Sequence, residues 1–146
     1  RLTLLERNSI VYSLLYDGLQ RASLAGMGDS GLAEVVARID LLEADSLTYL
    51  QSLESAQLPD VIYIDPMFPA RKKSAKVKKE MQVFHGIVGA DEDAAELLLL
   101  ALQRAKYRVV VKRSAAAGHL GEMAPSYSRE GKTTRFDVYA LHRLPS

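Results

Sequence analysis

The sequence predicts an α/β fold with a mostly parallel sheet that ends in an antiparallel hairpin. Short β-forming runs at residues 61–64 and 109–111 alternate with segments whose apolar residues recur at helical spacing. Neither run alternates polar with apolar residues, which is typical of strands buried on both faces of a parallel sheet. Near the end of the chain, two β-forming stretches flank the turn residues 130–132, and this pattern indicates a hairpin.

The first third of the chain is expected to hold two strands and two helices. The apolar run at residues 2–5 predicts a strand, and the spacing of apolar residues then predicts a helix over residues 9–22. Residues 26–31 have the composition of a loop. A second strand is expected near residues 38–42, and Asp45 is a suitable N-cap for the short helix that follows it.

After the predicted strand at residues 61–64, helical and β-forming segments continue to alternate along the chain. Acidic residues open the strongest helical pattern, at residues 91–105, and basic residues close it, as the helix dipole favours. The next strand leads into Lys112 and Arg113, and a flexible loop is expected at residues 115–118. The hairpin follows, and its second strand covers residues 135–141.

Composition limits the classes of function. With 146 residues, 48% of them hydrophobic, the chain fits one globular domain with a core. No apolar run is long enough to span a membrane. Cysteine is absent, which excludes disulfides, zinc–thiolate sites and cysteine nucleophiles, and a cytoplasmic protein is the simplest fit. The three histidines lack metal-ligand spacing, so we expect no metal site.

Charge is distributed unevenly along the chain. Residues 1–70 hold four Lys and Arg against ten Asp and Glu, whereas residues 71–146 hold fifteen against eight. The net charges of −6 and +7 give a weak indication of a polyanionic partner.

Polar residues follow several predicted strands, at the edge where ligands of parallel sheets bind. An acid in the position of Glu6 can accept hydrogen bonds from both ribose hydroxyls of an adenosine group, although a surface glutamate in a turn is the commoner case. Asp45 and Ser46 can bond an adenine amine, cap a helix, or do both.

The sequence Asp-Pro-Met-Phe-Pro at residues 65–69 is the strongest functional motif. Its prolines stiffen the turn after a β-forming run. The Asp65 carboxylate and the Pro66 carbonyl can accept hydrogen bonds from a weakly nucleophilic base amine, and Phe68 can stack on a flipped-out base. This chemistry suits methyl transfer to an exocyclic amine held at attack distance.

Six cations follow this turn within nine residues. A charge run is usually a solvated surface, but at the opening of a pocket it indicates phosphate binding. Two cations that end a neighbouring strand extend the predicted RNA-binding set, which is Arg71, Lys72, Lys73, Lys76, Lys78, Lys79, Lys112 and Arg113.

Together these strings resemble the RsmJ family, the guanine-N2 methyltransferases of small-subunit ribosomal RNA. Residues 65–69 are the most specific string, followed by the basic stretch and by Val-Lys-Lys-Glu-Met-Gln-Val-Phe at residues 77–84. Residues 4–7, 109–113 and 135–140 fit the same pattern, so the resemblance covers nearly the whole chain.

The resemblance implies the Rossmann-like fold of class I methyltransferases, S-adenosylmethionine as cofactor, and ribosomal RNA or the small ribosomal subunit as partner. It also implies that Glu6 and Arg7 contact the ribose region of the cofactor, Asp45 and Ser46 the adenine region, and Asp65 the reacting end. The product would be N2-methylguanosine in 16S ribosomal RNA.

The sequence departs from that pattern at its start. Class I domains begin with a strand, a glycine-rich loop and a helix, whereas here the strand at residues 2–5 follows Arg1 directly, and the glycines near residue 27 follow a helix. We therefore expect residues 1–146 to be the carboxyl-terminal portion of a single methyltransferase domain that is incomplete at its amino terminus. Asp45 also stands where the family more often has serine.

Two alternatives remain open from the sequence. A DNA amino-methyltransferase uses a related acid-Pro-Pro-aromatic turn, and the basic segment fits either polymer. A non-catalytic RNA-binding module could retain the same scaffold.

Overall fold

The computed structural model describes residues 1–66 and 93–145. The chain divides into two compact units, residues 1–52 and residues 53–146. In the described part of the chain, no helix combines the length and the apolar character that crossing a membrane requires.

The first unit contains one parallel pair of strands and three helices. Its elements are β1 (Leu2–Glu6), α1 (Ser9–Gly26), α2 (Ser30–Val36), β2 (Ile39–Glu43) and α3 (Ser46–Ser52). β1 and β2 pair in parallel over their full lengths, with the carboxyl ends of both strands at one edge. The predicted strands and the first predicted helix are confirmed.

The helix α2 differs from the prediction, which placed residues 26–31 in a loop. α1 continues to Gly26, and α2 begins at Ser30 after Asp29, whose side chain accepts hydrogen bonds from the amides of Gly31 and Leu32. The helices approach closely here, because a Cβ placed on Gly26 would lie 3.0 Å from the backbone of Ala33. Any side chain at this position would force the helices apart.

The described residues of the second unit form a four-stranded sheet and an α-helix. Its main elements are β3 (Val61–Ile64), α4 (Ala94–Arg104), β4 (Arg108–Ser114), β5 (Tyr127–Glu130) and β6 (Thr134–Ala140). The strand order is β3-β4-β6-β5. β3 and β4 are parallel, whereas β6 is antiparallel to both β4 and β5. The predicted parallel strands and the final hairpin are therefore confirmed.

One face of this sheet forms the core of the second unit. Val109 and Val111 of β4 are fully buried, as is Leu98 of α4, and Tyr139 of β6 is nearly so. The Tyr139 hydroxyl donates a hydrogen bond to the carbonyl oxygen of Met123 at 2.9 Å, so its one polar group is satisfied. The helical periodicity of α4 places its buried residues against this face.

The prediction that β3 is buried on both faces is wrong. Ile64 is buried, but Val61 and Tyr63, which point to the opposite face, are 42% and 53% exposed. An apolar run that lacks alternation does not by itself reveal a strand with one open face, because β-forming residues such as valine and tyrosine occupy both environments.

Asp137 is the most buried charged group of the second unit. Its side chain is inaccessible to solvent. Arg135 donates to both carboxylate oxygens, at 2.7 and 3.0 Å, and the Ser128 hydroxyl donates at 2.6 Å. His119 Nδ1 lies 3.1 Å from the second oxygen. Burial alone would raise the pKa of Asp137, but the hydrogen bonds from Arg135, Ser128 and His119 outweigh it and lower the pKa to about 2.

We expect Asp137→Asn to lower the free energy of unfolding by about 3 kcal/mol at neutral pH, because Arg135 would lose its buried partner. The folded-state pKa lies below the unfolded value of about 3.9, so this stabilisation exists above about pH 4 and is lost as pH falls towards 2. Urea unfolding at several pH values should therefore show the difference between wild type and variant shrinking below about pH 4.

Asp60→Asn is the matched control, since Asp60 is exposed and its Lys106 partner is 3.6 Å away. A difference between Asp137→Asn and wild type that stays constant down to pH 2 would contradict this account of the buried pair.

Candidate cofactor and acceptor residues

The carboxyl edge of the β1–β2 pair carries the residues predicted to bind a cofactor. Glu6 ends β1, and its Oε1 accepts a hydrogen bond of 2.7 Å from the amide of Asn8. Asn8 in turn caps α1 through the amides of Ile10 and Val11. The start of α1 therefore orients the Glu6 carboxylate, which has the capacity to accept further hydrogen bonds from a ribose diol.

Asp45 performs the helix-capping role expected of it. Its Oδ1 accepts a hydrogen bond of 3.0 Å from the Thr48 amide in the first turn of α3, and its Oδ2 lies 3.7 Å from a guanidinium nitrogen of Arg7. This ion pair joins the two strand ends, because Arg7 follows β1 and Asp45 follows β2. Both side chains are partly exposed, and Ser46 is the first residue of α3.

These side chains fit an adenosine group chemically. Carboxylates at a strand end accept ribose hydroxyl hydrogens, and a carboxylate oxygen can also accept a hydrogen bond from an adenine amine. The contacts predicted for Glu6, Arg7, Asp45 and Ser46 remain predictions.

A cavity of about 540 Å³ lies elsewhere in the first unit, between α1, α2 and β2. Gly26, Ala33 and Leu41 are among its mostly apolar lining residues, and none of the five predicted cofactor residues, Asp65 included, lines it. It is therefore not the predicted cofactor site.

In the second unit, Asp65 and Lys112 form an ion pair. The Lys112 amine donates to Asp65 Oδ2 at 2.8 Å, and both side chains are partly exposed. The parallel register explains this contact: Ile64 lies opposite Val111, so the next residue of each strand reaches the same edge. The hydrogen bond to Asp65 raises the pKa of Lys112 above its ordinary value, so the amine is cationic at neutral pH.

Lys112 therefore holds the Asp65 carboxylate through one oxygen at the carboxyl edge of the β3–β4 pair. Tyr63 lies nearby, on the same face of β3: partial burial, and secondarily the negative charge of Asp65, raise the pKa of its phenol. Sequence reasoning missed this ion pair, because 47 residues separate its members.

Arg113 differs from its neighbour Lys112, although sequence analysis predicted the same RNA contact for both. Side chains alternate along a strand, and Arg113 points into the covered face, where it is buried. Its guanidinium donates two hydrogen bonds to the carbonyl oxygen of Gly118, at 3.0 and 2.6 Å. This burial disfavours an RNA contact, and Arg113 instead anchors the loop that follows β4.

Several predicted site residues lie outside the described residues. They are Phe68 and the basic segment Arg71, Lys72, Lys73, Lys76, Lys78 and Lys79. Pro66 is described and buried, directly after Asp65. Within residues 1–66 and 93–145, no group of three or more potential ligands is placed to hold a metal ion.

The family described as "Putative SAM-dependent methyltransferase" matches residues 1–141. The chain belongs to this family. Its fold is the Rossmann-like α/β fold of these enzymes, and the family's cofactor is S-adenosylmethionine.

The chain is 54% identical over 146 residues to a protein of Cellvibrio japonicus named ribosomal RNA small subunit methyltransferase J, covering 99% of this chain and 55% of that protein. A protein of the same name from Thioalkalivibrio sulfidiphilus is 53% identical over 137 residues, which are 94% of this chain and 52% of that protein. The chain thus spans about half the length of the curated relatives it matches.

A crystal structure of the S-adenosylmethionine-dependent methyltransferase of Neisseria gonorrhoeae has the same fold. It is 38% identical and superposes with a TM-score of 0.69, over 94% of this chain and 54% of that one.

If Glu6 contacts the ribose, Glu6→Gln should weaken binding of S-adenosylmethionine by the full-length protein about 10-fold or more, since charge-assisted hydrogen bonds are lost. Isothermal titration calorimetry would measure this loss. Glu43→Gln is the matched control, because Glu43 lies opposite Glu6 at the same edge and should leave the affinity unchanged. Equal effects of the two substitutions would indicate a general effect of charge rather than a contact.

Proposed function

We propose that the full-length protein transfers a methyl group from S-adenosylmethionine to the N2 amine of a guanine in 16S ribosomal RNA, in the cytoplasm. In this proposal residues 1–146 are the carboxyl-terminal portion of its methyltransferase domain. The observation that carries the proposal is the Asp65 carboxylate, which Lys112 holds at the carboxyl end of β3 directly before Pro66.

The chemistry of a guanine N2 amine explains why such a carboxylate is needed. The amine lone pair is delocalised into the base, so the amine is a poor nucleophile and its reaction depends on orientation. Asp65 and the carbonyl of Pro66 would accept the two N–H hydrogens and direct the nitrogen lone pair at the methyl group of a bound cofactor. Formation of the N–C bond would be balanced by cleavage of the S–C bond, with S-adenosylhomocysteine as the leaving group, and by loss of one proton from the amine to solvent. Positioning of this kind supplies much of the rate enhancement of group-transfer enzymes.

Lys112 acts on Asp65 rather than on the substrate. It neutralises Oδ2 and restricts rotation of the carboxylate, so that Oδ1 is directed to the amine. Phe68 stacks on the flipped-out guanine, and the cations of residues 71–79 bind RNA phosphates. These last two roles rest on sequence alone.

The names of the relatives support the substrate. Both curated relatives described above are named as methyltransferases of small-subunit ribosomal RNA, and the identity extends over nearly all of this chain. A DNA amino-methyltransferase uses similar chemistry, so an experiment must decide whether the substrate is ribosomal RNA or DNA.

The first test of the mechanism is Asp65→Asn in the full-length protein. We expect kcat for methylation of small ribosomal subunits to fall about 100-fold, because the amine loses the acceptor that orients it. RNA affinity should change little.

Asp60→Asn is a closely matched control for this experiment. Asp60 and Asp65 flank β3 at its two ends, and each pairs with a lysine, Lys106 and Lys112 respectively. Equal, measurable kcat values for Asp65→Asn and wild type would overturn the proposed role of Asp65. RNA binding without methylation by either protein would instead favour the RNA-binding module without catalytic activity.

The test of the substrate is mass spectrometry of ribosomal RNA nucleosides from cells with and without the full-length gene. We expect N2-methylguanosine in 16S ribosomal RNA to fall on deletion and to return when the gene is supplied on a plasmid. An unchanged amount would overturn the ribosomal RNA assignment. Methylation of duplex DNA by the purified protein would then favour the DNA enzyme.

A further inference from the structure

His119 is the most exposed member of the hydrogen-bonded cluster around Asp137. Its side chain is 40% exposed, whereas Asp137 and Arg135 are buried and Ser128 is partly buried. Both oxygens of the Asp137 carboxylate already accept hydrogen bonds from Arg135, at 2.7 and 3.0 Å. The buried charge therefore has its cationic partner without His119, and a second role for the imidazole has to be considered.

The hydrogen-bond geometry assigns the tautomer of His119. Nδ1 lies 3.1 Å from Asp137 Oδ2, and because a carboxylate only accepts, Nδ1 carries the hydrogen of this bond. The longer contact of 3.4 Å from Nδ1 to a guanidinium nitrogen of Arg135 then joins two donors. In the neutral ring the free lone pair is on Nε2, which is directed away from Asp137. A buried carboxylate that holds an imidazole in this way fixes both its tautomer and its orientation.

His119 lies towards the carboxyl edge of the sheet. The loop of residues 115–118 joins it to the carboxyl end of β4. The short turn Leu120–Glu122 then lies beside the first turn of α4, because a Cβ placed on Gly121 would lie 3.4 Å from the Cβ of Ala95. α4 ends shortly before β4 begins, so its first turn is near the carboxyl edge. In α/β folds helices cover the faces of the sheet, whereas this edge stays open to ligands.

Strand register places the imidazole near the acceptor residue. Asp137, which holds the ring, is the β6 partner of Val111, and Val111 is the β4 partner of Ile64. Two strand spacings, about 10 Å, therefore separate the backbone of Asp137 from that of Ile64, the residue before Asp65. A polymeric substrate whose reacting base lies at Asp65 can thus bring a neighbouring nucleotide to His119.

The turn between β5 and β6 adds a cation at the same edge. β6 runs antiparallel to β4, so its start lies at the carboxyl edge, and Lys132 is exposed in the turn before it. The amide of Ala115 donates a hydrogen bond of 3.1 Å to the carbonyl oxygen of Thr133, and Arg135 donates to the carbonyl oxygen of Ala115 at 3.3 Å. The loop after β4 and the turn are therefore held together as one ridge. We call this ridge, residues 115–119 and 131–133, the hairpin edge.

We propose that the hairpin edge binds the RNA strand beside the methylated guanine and that His119 makes this contact specific for RNA. Nε2 of His119 accepts a hydrogen bond from a ribose 2′-hydroxyl, a donor that DNA lacks. Lys132 contacts a phosphate, which both polymers carry. The inference rests on the proposed function, since it assigns a specificity-determining residue for the same substrate.

Two properties of His119 favour a hydroxyl partner. Nε2 of the neutral ring is an acceptor, whereas a phosphate group offers acceptor oxygens alone. The ring is also held in place before a substrate arrives, so the contact costs little conformational entropy. A base amine is the other kind of donor that an RNA strand can offer to Nε2. Because DNA carries the same amines, a base contact is the competing outcome of the test.

His119→Ala in the full-length protein removes the acceptor. We expect the affinity for a single-stranded RNA oligonucleotide, measured by fluorescence anisotropy, to fall about 5-fold, which corresponds to the loss of one neutral hydrogen bond. The affinities for the 2′-deoxy and 2′-fluoro forms of the same sequence should stay unchanged, since neither form carries the hydroxyl hydrogen. His119→Gln supplies an amide oxygen as acceptor and should restore part of the preference for RNA.

Two variants control for stability and for loss of a histidine. Ser128→Ala removes a hydrogen bond of 2.6 Å to Asp137 and keeps the imidazole, and His142→Ala removes an exposed histidine that follows β6 at the opposite edge. Neither should change the ratio of RNA to DNA affinity. Lys132→Gln should lower the slope of log affinity against log salt by about one for RNA and DNA alike, whereas Lys106→Gln, at the amino end of β4, should not.

Each outcome decides a different point. If His119→Ala weakens binding of RNA and DNA equally, the partner of Nε2 is not the 2′-hydroxyl and the inference is overturned. If the variant lowers the melting temperature and leaves both affinities unchanged, His119 has a structural role alone, which also overturns it. Unchanged stability and affinities overturn it too, while methylation of ribosomal RNA by the wild type still supports the proposed function. If the wild type methylates no ribosomal RNA but His119→Ala loses the preference for RNA, the function fails and the role of the hairpin edge stands.

Discussion

The alternation of side chains along β4 determines which residues of this strand form the core and which lie near Asp65. Val109, Val111 and Arg113 point to the covered face, where they are buried. Val110 and Lys112 point to the other face, where the amine meets Asp65. Because a strand has a period of two, the chain cannot slip by one residue without moving the lysine into the core and a core valine into solvent. Packing of the core thus fixes the position of the acceptor residue.

Both units place an acid at the carboxyl end of a parallel pair and give it a cationic partner. Arg7 lies near Asp45 in the first unit, and Lys112 bonds Asp65 in the second. In each case the two residues lie on, or just after, two neighbouring parallel strands. Parallel strands are joined by a crossover connection, so this connection must fold before the ion pair can form. The cation limits repulsion between the acid and other negative groups, and it also reduces the conformational freedom of the carboxylate.

Local sequence patterns predicted a structural element correctly where that element depends on residues close together in the chain. The end of β3 before Asp65, the N-cap at Asp45 and the final hairpin depend on neighbouring residues, and all three are confirmed. The helix α2 was missed because Val35 and Val36 are β-branched and stand close to the true strand β2, while the capping side chain of Asp29 was the available signal. Propensity is a weak guide in so short a helix.

The sequence did not reveal the contacts or the burial of residues that depend on distant parts of the chain. Lys112 and Arg113 are adjacent cations, yet one pairs with Asp65 and the other holds a backbone carbonyl. Their difference arises from strand pairing and from the face that α4 covers, and neither is encoded within a few residues. The partly exposed state of Tyr63 has the same origin. The residues predicted to contact the cofactor, which stay predictions, were proposed from local sequence because they lie at or just after the ends of β1 and β2.

The way in which the loop after β4 is anchored determines how freely its sequence can change between related proteins. Arg113 donates to the carbonyl oxygen of Gly118, and Arg135 donates to that of Ala115. Both anchors hold backbone oxygens, which every amino acid possesses, so the path of the loop does not depend on the identity of its own side chains. Related proteins can therefore exchange the residues of this loop, and with them the chemistry presented at the edge of the sheet, while the two arginines keep its shape.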